Sequence, residues 1–136
     1  MCGFSLDVDI ITPALDGTIL AGITRASVIS LVQAHTCGKI SLPGLPPSQK
    51  LYMHERPIPM ADIVHWSEGG KILEVFGVGT AVIVAAVSRI GYKEKDMILA
   101  SHGGGLGPIG KSLWDMITDI QTGQKEYEGW SVICGI

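Results

Sequence analysis

The sequence predicts an α+β domain, and three stretches carry that expectation. Glu74 to Ala81 and the run Val82-Ile83-Val84-Ala85-Ala86-Val87 behind it are apolar and rich in β-branched residues. A Gly77-x-Gly79-Thr80 corner divides them, which reads as strand, tight turn and strand. Val28, Ile29, Val32 and His35 recur at helical spacing after Thr24, and Leu113, Ile117 and Ile120 recur that way after Gly110.

The 136 residues, 46% hydrophobic and 17% charged, suit one domain or part of a larger one. A net charge of −3 without a basic stripe argues against nucleic acid as the main partner. The longest uncharged run lies between Glu74 and Arg89, roughly half to two-thirds of a bilayer span, and reads as buried strands. Asp7 and Asp9 interrupt any apolar region after Met1, so no signal-peptide pattern is expected there. Cys2, Cys37 and Cys134 are odd in number and far apart, as reduced thiols are. His35, His54, His65 and His102 lack metal-ligand spacing and read as surface or internally satisfied histidines.

In chain order, Met1 to Leu6 reads as the remnant of a strand. Ile10-Ile11 run into Thr12-Pro13, and Asp16-Gly17 marks a turn. Leu20-Ala21-Gly22-Ile23 enters the first helix, with Thr24 as the expected N-cap. Such a start is either plainly structural or a phosphate seat, because its unpaired N–H groups lie at the positive end of the helix dipole. Gly38 to Gln49 is a loop, since Pro43, Pro46 and Pro47 remove donors and fix φ. Leu51 to Ile58 is an expected edge strand, and Met60 to Ser67 a short helix stopped by Gly69-Gly70. Lys71 to Phe76 and Ala81 to Arg89 are expected strands, Gly91-Tyr92-Lys93 a polar return, and Met97 to Ala100 a short strand.

The Gly77-to-Thr80 corner has two readings. It is a hairpin turn, or it is a small anion nest in which glycines admit a ligand close to the backbone and the Thr80 hydroxyl adds a donor. A further motif, Gly105 to Ser112, satisfies the G-x-x-x-x-G-K-[ST] phosphate-loop pattern letter for letter. Its chemistry would place backbone amides around phosphates, Lys111 on the terminal ones and Ser112 on magnesium. Pro108 removes an amide from that cradle, and no apolar strand ending in Asp follows to hold the metal. A glycine-rich lead-in to a helix is the preferred reading, with a nucleotide-binding module as an alternative.

Two anion seats, at Gly22-Ile23-Thr24 and Gly79-Thr80-Ala81, suit a phosphate-bearing cofactor together with a carboxylate-bearing substrate. Three ordered motifs carry a family resemblance: Leu15-Asp16-Gly17-Thr18-Ile19-Leu20-Ala21-Gly22-Ile23-Thr24-Arg25, then Glu74-Val75-Phe76-Gly77-Val78-Gly79-Thr80-Ala81, then Asp119-Ile120-Gln121-Thr122-Gly123 with Trp130. The chain resembles the branched-chain amino-acid aminotransferases, fold-type IV pyridoxal-phosphate enzymes, over nearly its whole length. It covers the C-terminal part of the family's usual length.

The resemblance implies that residues 1–136 are the C-terminal portion of the large, cofactor-binding domain, a mixed-sheet pseudo-barrel with helices packed outside. It implies amino transfer between leucine, isoleucine or valine and 2-oxoglutarate with pyridoxal 5'-phosphate, in a homodimer. By family position Leu20 packs on the cofactor ring, while Gly22, Ile23 and Thr24 hold the phosphate. Gly79 and Thr80 contribute to cofactor binding, and Thr80 with the Ala81 amide holds the substrate carboxylate. No nucleic acid, membrane or metal is implied, and the expected location is the cytoplasm or the mitochondrion. Val78 stands where many relatives have Ser, and Val82 and Ala85 stand at the redox Cys-x-x-Cys of some animal members. Leu42 to Gln49 looks like an insertion. The family's Schiff-base lysine, its ring-nitrogen carboxylate and its phosphate-binding arginine match positions upstream of the first motif, and Met1 to Ala21 contain no Lys, Arg or Glu. The chain alone is therefore expected to lack transaminase activity, with no catalytic residue of its own. A D-amino-acid aminotransferase or an aminodeoxychorismate-lyase-like enzyme is the alternative within the same fold.

Overall fold

Among the residues described by the structure, a computed structural model covering 7–100 and 102–135, three helices and six short strands alternate irregularly. In order they are β1 (Val8–Thr12), α1 (Ile23–Thr36), β2 (Leu51–Glu55), α2 (Met60–Glu68), β3 (Phe76–Gly79), β4 (Ile83–Ala86), β5 (Arg89–Tyr92), β6 (Lys95–Ile98) and α3 (Pro108–Gln121). The strands form three two-stranded sheets. β1 and β2 run parallel with Val8 opposite Leu51, as the α1 crossover between them requires. β3–β4 and β5–β6 are antiparallel hairpins, with Gly79 opposite Ile83 and Tyr92 opposite Lys95. The mixture of helix and strand agrees with the α+β expectation. The expected strand remnant at Met1 to Leu6 lies outside the described residues.

The core lies where α1 and α3 meet the sheets. Val28, Leu31 and Val32 of α1 cluster with Leu113, Met116, Ile117 and Ile120 of α3, and with Leu42, Leu51, Val84 and Tyr127. Each such burial contributes about 1.5–3 kcal/mol. The α1 stripe differs by one residue from its sequence pattern: Leu31 is fully buried, while Ile29 is half-buried at a cavity wall. The stripe expected on α3 (Leu113, Ile117, Ile120) is buried throughout.

His35 explains how a proline-rich loop holds its shape beside the core. Its Nδ1 accepts from the Leu42 N–H at 3.0 Å, so Nε2 carries the proton and donates to the Gln49 carbonyl at 2.9 Å. The ring, 2% exposed, is an internally satisfied histidine. One residue further on, the Thr36 hydroxyl donates to the Leu51 carbonyl at 2.6 Å and accepts from the Leu51 amide at 3.0 Å. The end of α1 is thereby fixed to the start of β2.

Several boundaries differ from expectation. The strand expected at Lys71 to Phe76 is irregular up to Val75, and β3 begins at Phe76. The strand expected over Ala81 to Arg89 is two strands, β4 and β5, belonging to different hairpins. Gly91 and Tyr92 are still in β5, and the return is made by Lys93 and Glu94 at φ +49° and +62°. The edge strand expected to reach Ile58 stops at Glu55. α2 ends against Gly69 as expected. No helix among the described residues is long and apolar enough to cross a membrane.

Candidate functional site

The start of α1 lies at the surface. Gly22, extended at φ −73° and ψ 141°, is the N-cap and makes no side-chain capping bond of its own, and the first turn holds no acidic residue. The expectation that Thr24 is the N-cap is therefore corrected: Thr24 is already the second helical residue, so its hydroxyl lies beyond the capping position. Among the described residues no side chain is hydrogen-bonded to the first amides of the helix, and the dipole leaves partial positive charge there. Leu20 and Ile23 flank this start at 89% and 84% exposure.

The approach to α1 is held by two side chains. Asp16 accepts from the amide and the hydroxyl of Thr18, which holds its carboxyl below the ordinary 3.8. Arg25 donates from Nη2 to the Pro13 carbonyl at 2.9 Å and to Glu55 at 2.8 Å. Arg25 thus ties the first turn of α1 to the residue after β1 and to the end of β2, while the Asp16 bonds close a local turn in between.

The second predicted seat sits at the end of β3. Gly77 and Gly79 are ordinary extended residues, and the turn falls at Thr80 to Val82. The corner expected at the glycines is displaced toward the C-terminus. Its left-handed residue is Ile83 at φ +61°, a conformation costing a β-branched residue about 1–3 kcal/mol. Packing of Ile83, Phe76 and Val78 against the core offsets that strain. Thr80 and Ala81 are exposed in the turn, and Gly79 is half-buried. β3 contacts α1, so the elements bearing the two seats are neighbours, and Arg25 and Val78 line a common cavity. No hydrogen bond joins Thr24 to Thr80 among the described residues.

The start of α3 contrasts with that of α1. Here the Glu74 carboxylate accepts from the Ile109 amide at 2.8 Å and from the Gly110 amide at 3.2 Å. Those are the amides a phosphate loop would offer. Ser112 is 2% exposed, and Lys111 is paired with Asp115 at 2.9 Å on the surface. The nucleotide-binding alternative therefore has no seat at Gly105 to Ser112. Glu74 is the residue that sequence reasoning missed, because its partners lie 35 and 36 positions away. The available signal was one carboxylate at the head of a long uncharged run.

No family model matches the chain. The cytosolic branched-chain-amino-acid aminotransferase of Saccharomyces cerevisiae is 36% identical over 124 residues, 90% of this chain and 30% of that protein. Branched-chain-amino-acid transaminase 1 of Bacillus subtilis is 35% identical over 130 residues, 95% of this chain and 32% of that protein. The branched-chain-amino-acid aminotransferase of Monosiga brevicollis is 33% identical over 125 residues, 92% of this chain and 29% of that protein. These names do not favour a D-amino-acid aminotransferase or an aminodeoxychorismate lyase. The chain belongs to the branched-chain amino-acid aminotransferases, and it spans about 30% of the length of the curated relatives it matches.

Proposed function

We propose that the chain is the C-terminal portion of the large, cofactor-binding domain of a fold-type IV branched-chain aminotransferase. The activity it would serve is amino transfer between leucine, isoleucine or valine and 2-oxoglutarate, in a homodimer, with pyridoxal 5'-phosphate. The observation that carries the reading is the uncapped start of α1 beside the exposed apolar side chains of Leu20 and Ile23. Amides at the positive end of a helix suit a phosphate, and apolar side chains next to them suit an aromatic ring. The residues present therefore fit the cofactor. Gly22, Ile23 and Thr24 would hold the phosphate, Leu20 would lie against the ring, and Gly79, Thr80 and Ala81 would serve the phosphate and the substrate carboxylate. When bound, pyridoxal phosphate supplies an electron-withdrawing ring that makes the proton at the substrate Cα labile. Yeast carries both a cytosolic and a mitochondrial relative, so either location is compatible with the family.

Amide chemical shifts of the chain, titrated with pyridoxal phosphate and separately with pyridoxal, test the assignment. The expected result is movement at Ile23 and Thr24 with the phosphorylated compound and much less without the phosphate. Movement confined to the start of α3, or none at all, would contradict it.

A further inference from the structure

The corner between β3 and β4 places its backbone strain on the wrong residue. Eight described glycines occupy left-handed backbone, as a residue without a Cβ is suited to do. Four other described residues do so, and of these only Ile83 is β-branched. Ile83 is left-handed at φ +61°, while Gly79, directly opposite it in the ladder, is extended. Nothing in this conformation asks for glycine at 79. Its backbone is one that any residue adopts, and a Cβ there would meet no atom within 4 Å. Glycine in a strand weakens it, so the position carries a cost without a visible return. An idle glycine facing a strained isoleucine is explained by a second form in which the two exchange roles.

The next rung of the ladder bounds the change. Val78 opposes Val84, which is 4% exposed, and Val78 packs against the core, so this rung is held. Beyond it lie only Gly79 to Ile83, with Thr80, Ala81 and Val82 exposed. A five-residue loop is an ordinary hairpin connection, so opening the last rung leaves the hairpin closed. Ile83 then returns to the extended region that β-branched residues favour, and Gly79 takes the left-handed position. A left-handed residue beside a right-handed one turns successive amides to one side, which forms an anion nest. Among the described residues the Thr80 and Ala81 amides make no hydrogen bond, so both are free to turn.

We propose that this corner is a two-state element. The form described above, with Ile83 left-handed, is the resting one, and the form with Gly79 left-handed is the one that takes a carboxylate. Packing of Ile83 on the core keeps the resting form in the majority, and its strain keeps the second form within reach of a ligand. The inference deepens the reading of Thr80 and Ala81 as the substrate-carboxylate seat and rests on it.

Amide-nitrogen relaxation dispersion of the full chain reads the exchange without any cofactor. Residues 79–83 should exchange with a minor form of about 1–10%, while Phe76 and Ala86 stay flat. Sodium acetate, set against sodium chloride at equal ionic strength, is the carboxylate probe and should raise the minor share about twofold. Gly79→Ala fits the resting form but disfavours the second, and should lower that share about tenfold without lowering the melting temperature. Gly79→Asn, which tolerates left-handed backbone, should keep the exchange. Gly77→Ala, on the same strand with equal room for a Cβ, should keep it as well. Flat dispersion in the natural chain would overturn the inference, and so would exchange that survives Gly79→Ala or is lost equally in Gly77→Ala. Acetate acting no differently from chloride would also overturn it, since a carboxylate would then not select the second form. The cofactor titration reads the start of α1, so the proposed function and the two-state corner can fail separately.

Discussion

Glu74 accepts the amide of Ile109 at 2.8 Å, joining the approach to β3 to the first turn of α3. The same carboxylate takes the Gly110 amide, so two of the four orphan donors of that helix are satisfied by one side chain. The arrangement needs a close approach. A Cβ at Gly107, the N-cap of α3, would overlap the Glu74 carboxylate, which is why glycine stands there. His102 supports the same stretch through its Nε2, 3.2 Å from the Leu73 carbonyl. One helix start is thus closed by an internal anion, while among the described residues no side chain is hydrogen-bonded to the first amides of α1.

Removing the Glu74 carboxylate should cost stability through both the hydrogen bonds and the dipole. Glu74→Ala is expected to lower the unfolding free energy by about 2–3 kcal/mol, and Glu74→Gln by roughly half of that. Urea denaturation measures both. Gly107→Ala should be costly alone, and less so in the Glu74→Ala background, where the overlapping group is gone. Strict additivity of the two changes would contradict the contact.

Legibility from sequence followed the range of the interactions. α1 and α3 were readable because Val28 and Val32, or Leu113, Ile117 and Ile120, repeat on one face within a single helix. The hairpin around Gly77 to Ile83 was misplaced because glycine has the strongest local claim on a turn. Phe76 and Val78 pack inward, keep the glycines extended, and push the left-handed residue onto Ile83. Glu74 could not be paired from sequence, since nothing local marks an amide 35 residues away. Of the candidate site, the motifs and the uncapped helix start were legible, though the cap itself moved from Thr24 to Gly22.

His35 should matter for the 42–49 loop more than for α1 itself. His35→Phe keeps most of the volume and removes both hydrogen bonds, leaving the buried Leu42 amide unpaired. A loss of about 1–3 kcal/mol is expected. Hydrogen exchange gives the sharper readout: the Leu42 amide should lose protection while the Leu31 and Val32 amides keep theirs.

The Asp16 turn predicts a small acid-side dependence. The Thr18 hydroxyl, followed by the Thr18 amide, holds the Asp16 carboxyl below its ordinary 3.8 in the folded chain. A depressed carboxylate contributes stability above the unfolded value and loses that contribution as pH falls through the folded one. The contribution therefore disappears below about pH 4. Thr18→Val deletes the leading donor and should raise the Asp16 midpoint toward 3.8, measured by carboxyl carbon shifts against pH. An unchanged midpoint would mean that the amide alone sets it.

The last prediction concerns the lysines. Amino transfer through pyridoxal phosphate needs a protein amine that bonds the cofactor and moves a proton at the substrate Cα. Such an amine must lose its proton near neutral pH, which requires burial or a neighbouring cation. None of the seven lysines of this chain is buried. Lys71, Lys93, Lys95 and Lys111 are exposed, Lys111 beside Asp115. Lys125 lies 3.8 Å from Asp119, and Lys50 donates to the Thr36 carbonyl. Lys39 is paired with Glu128, and that hydrogen bond holds its ammonium above the ordinary 10.5, the wrong direction for a nucleophile. Incubation of the chain with pyridoxal phosphate, borohydride reduction and mass spectrometry should therefore find scattered, substoichiometric labelling. Leucine and 2-oxoglutarate should yield no glutamate. Stoichiometric labelling of one lysine with turnover would show that this portion carries its own catalytic amine.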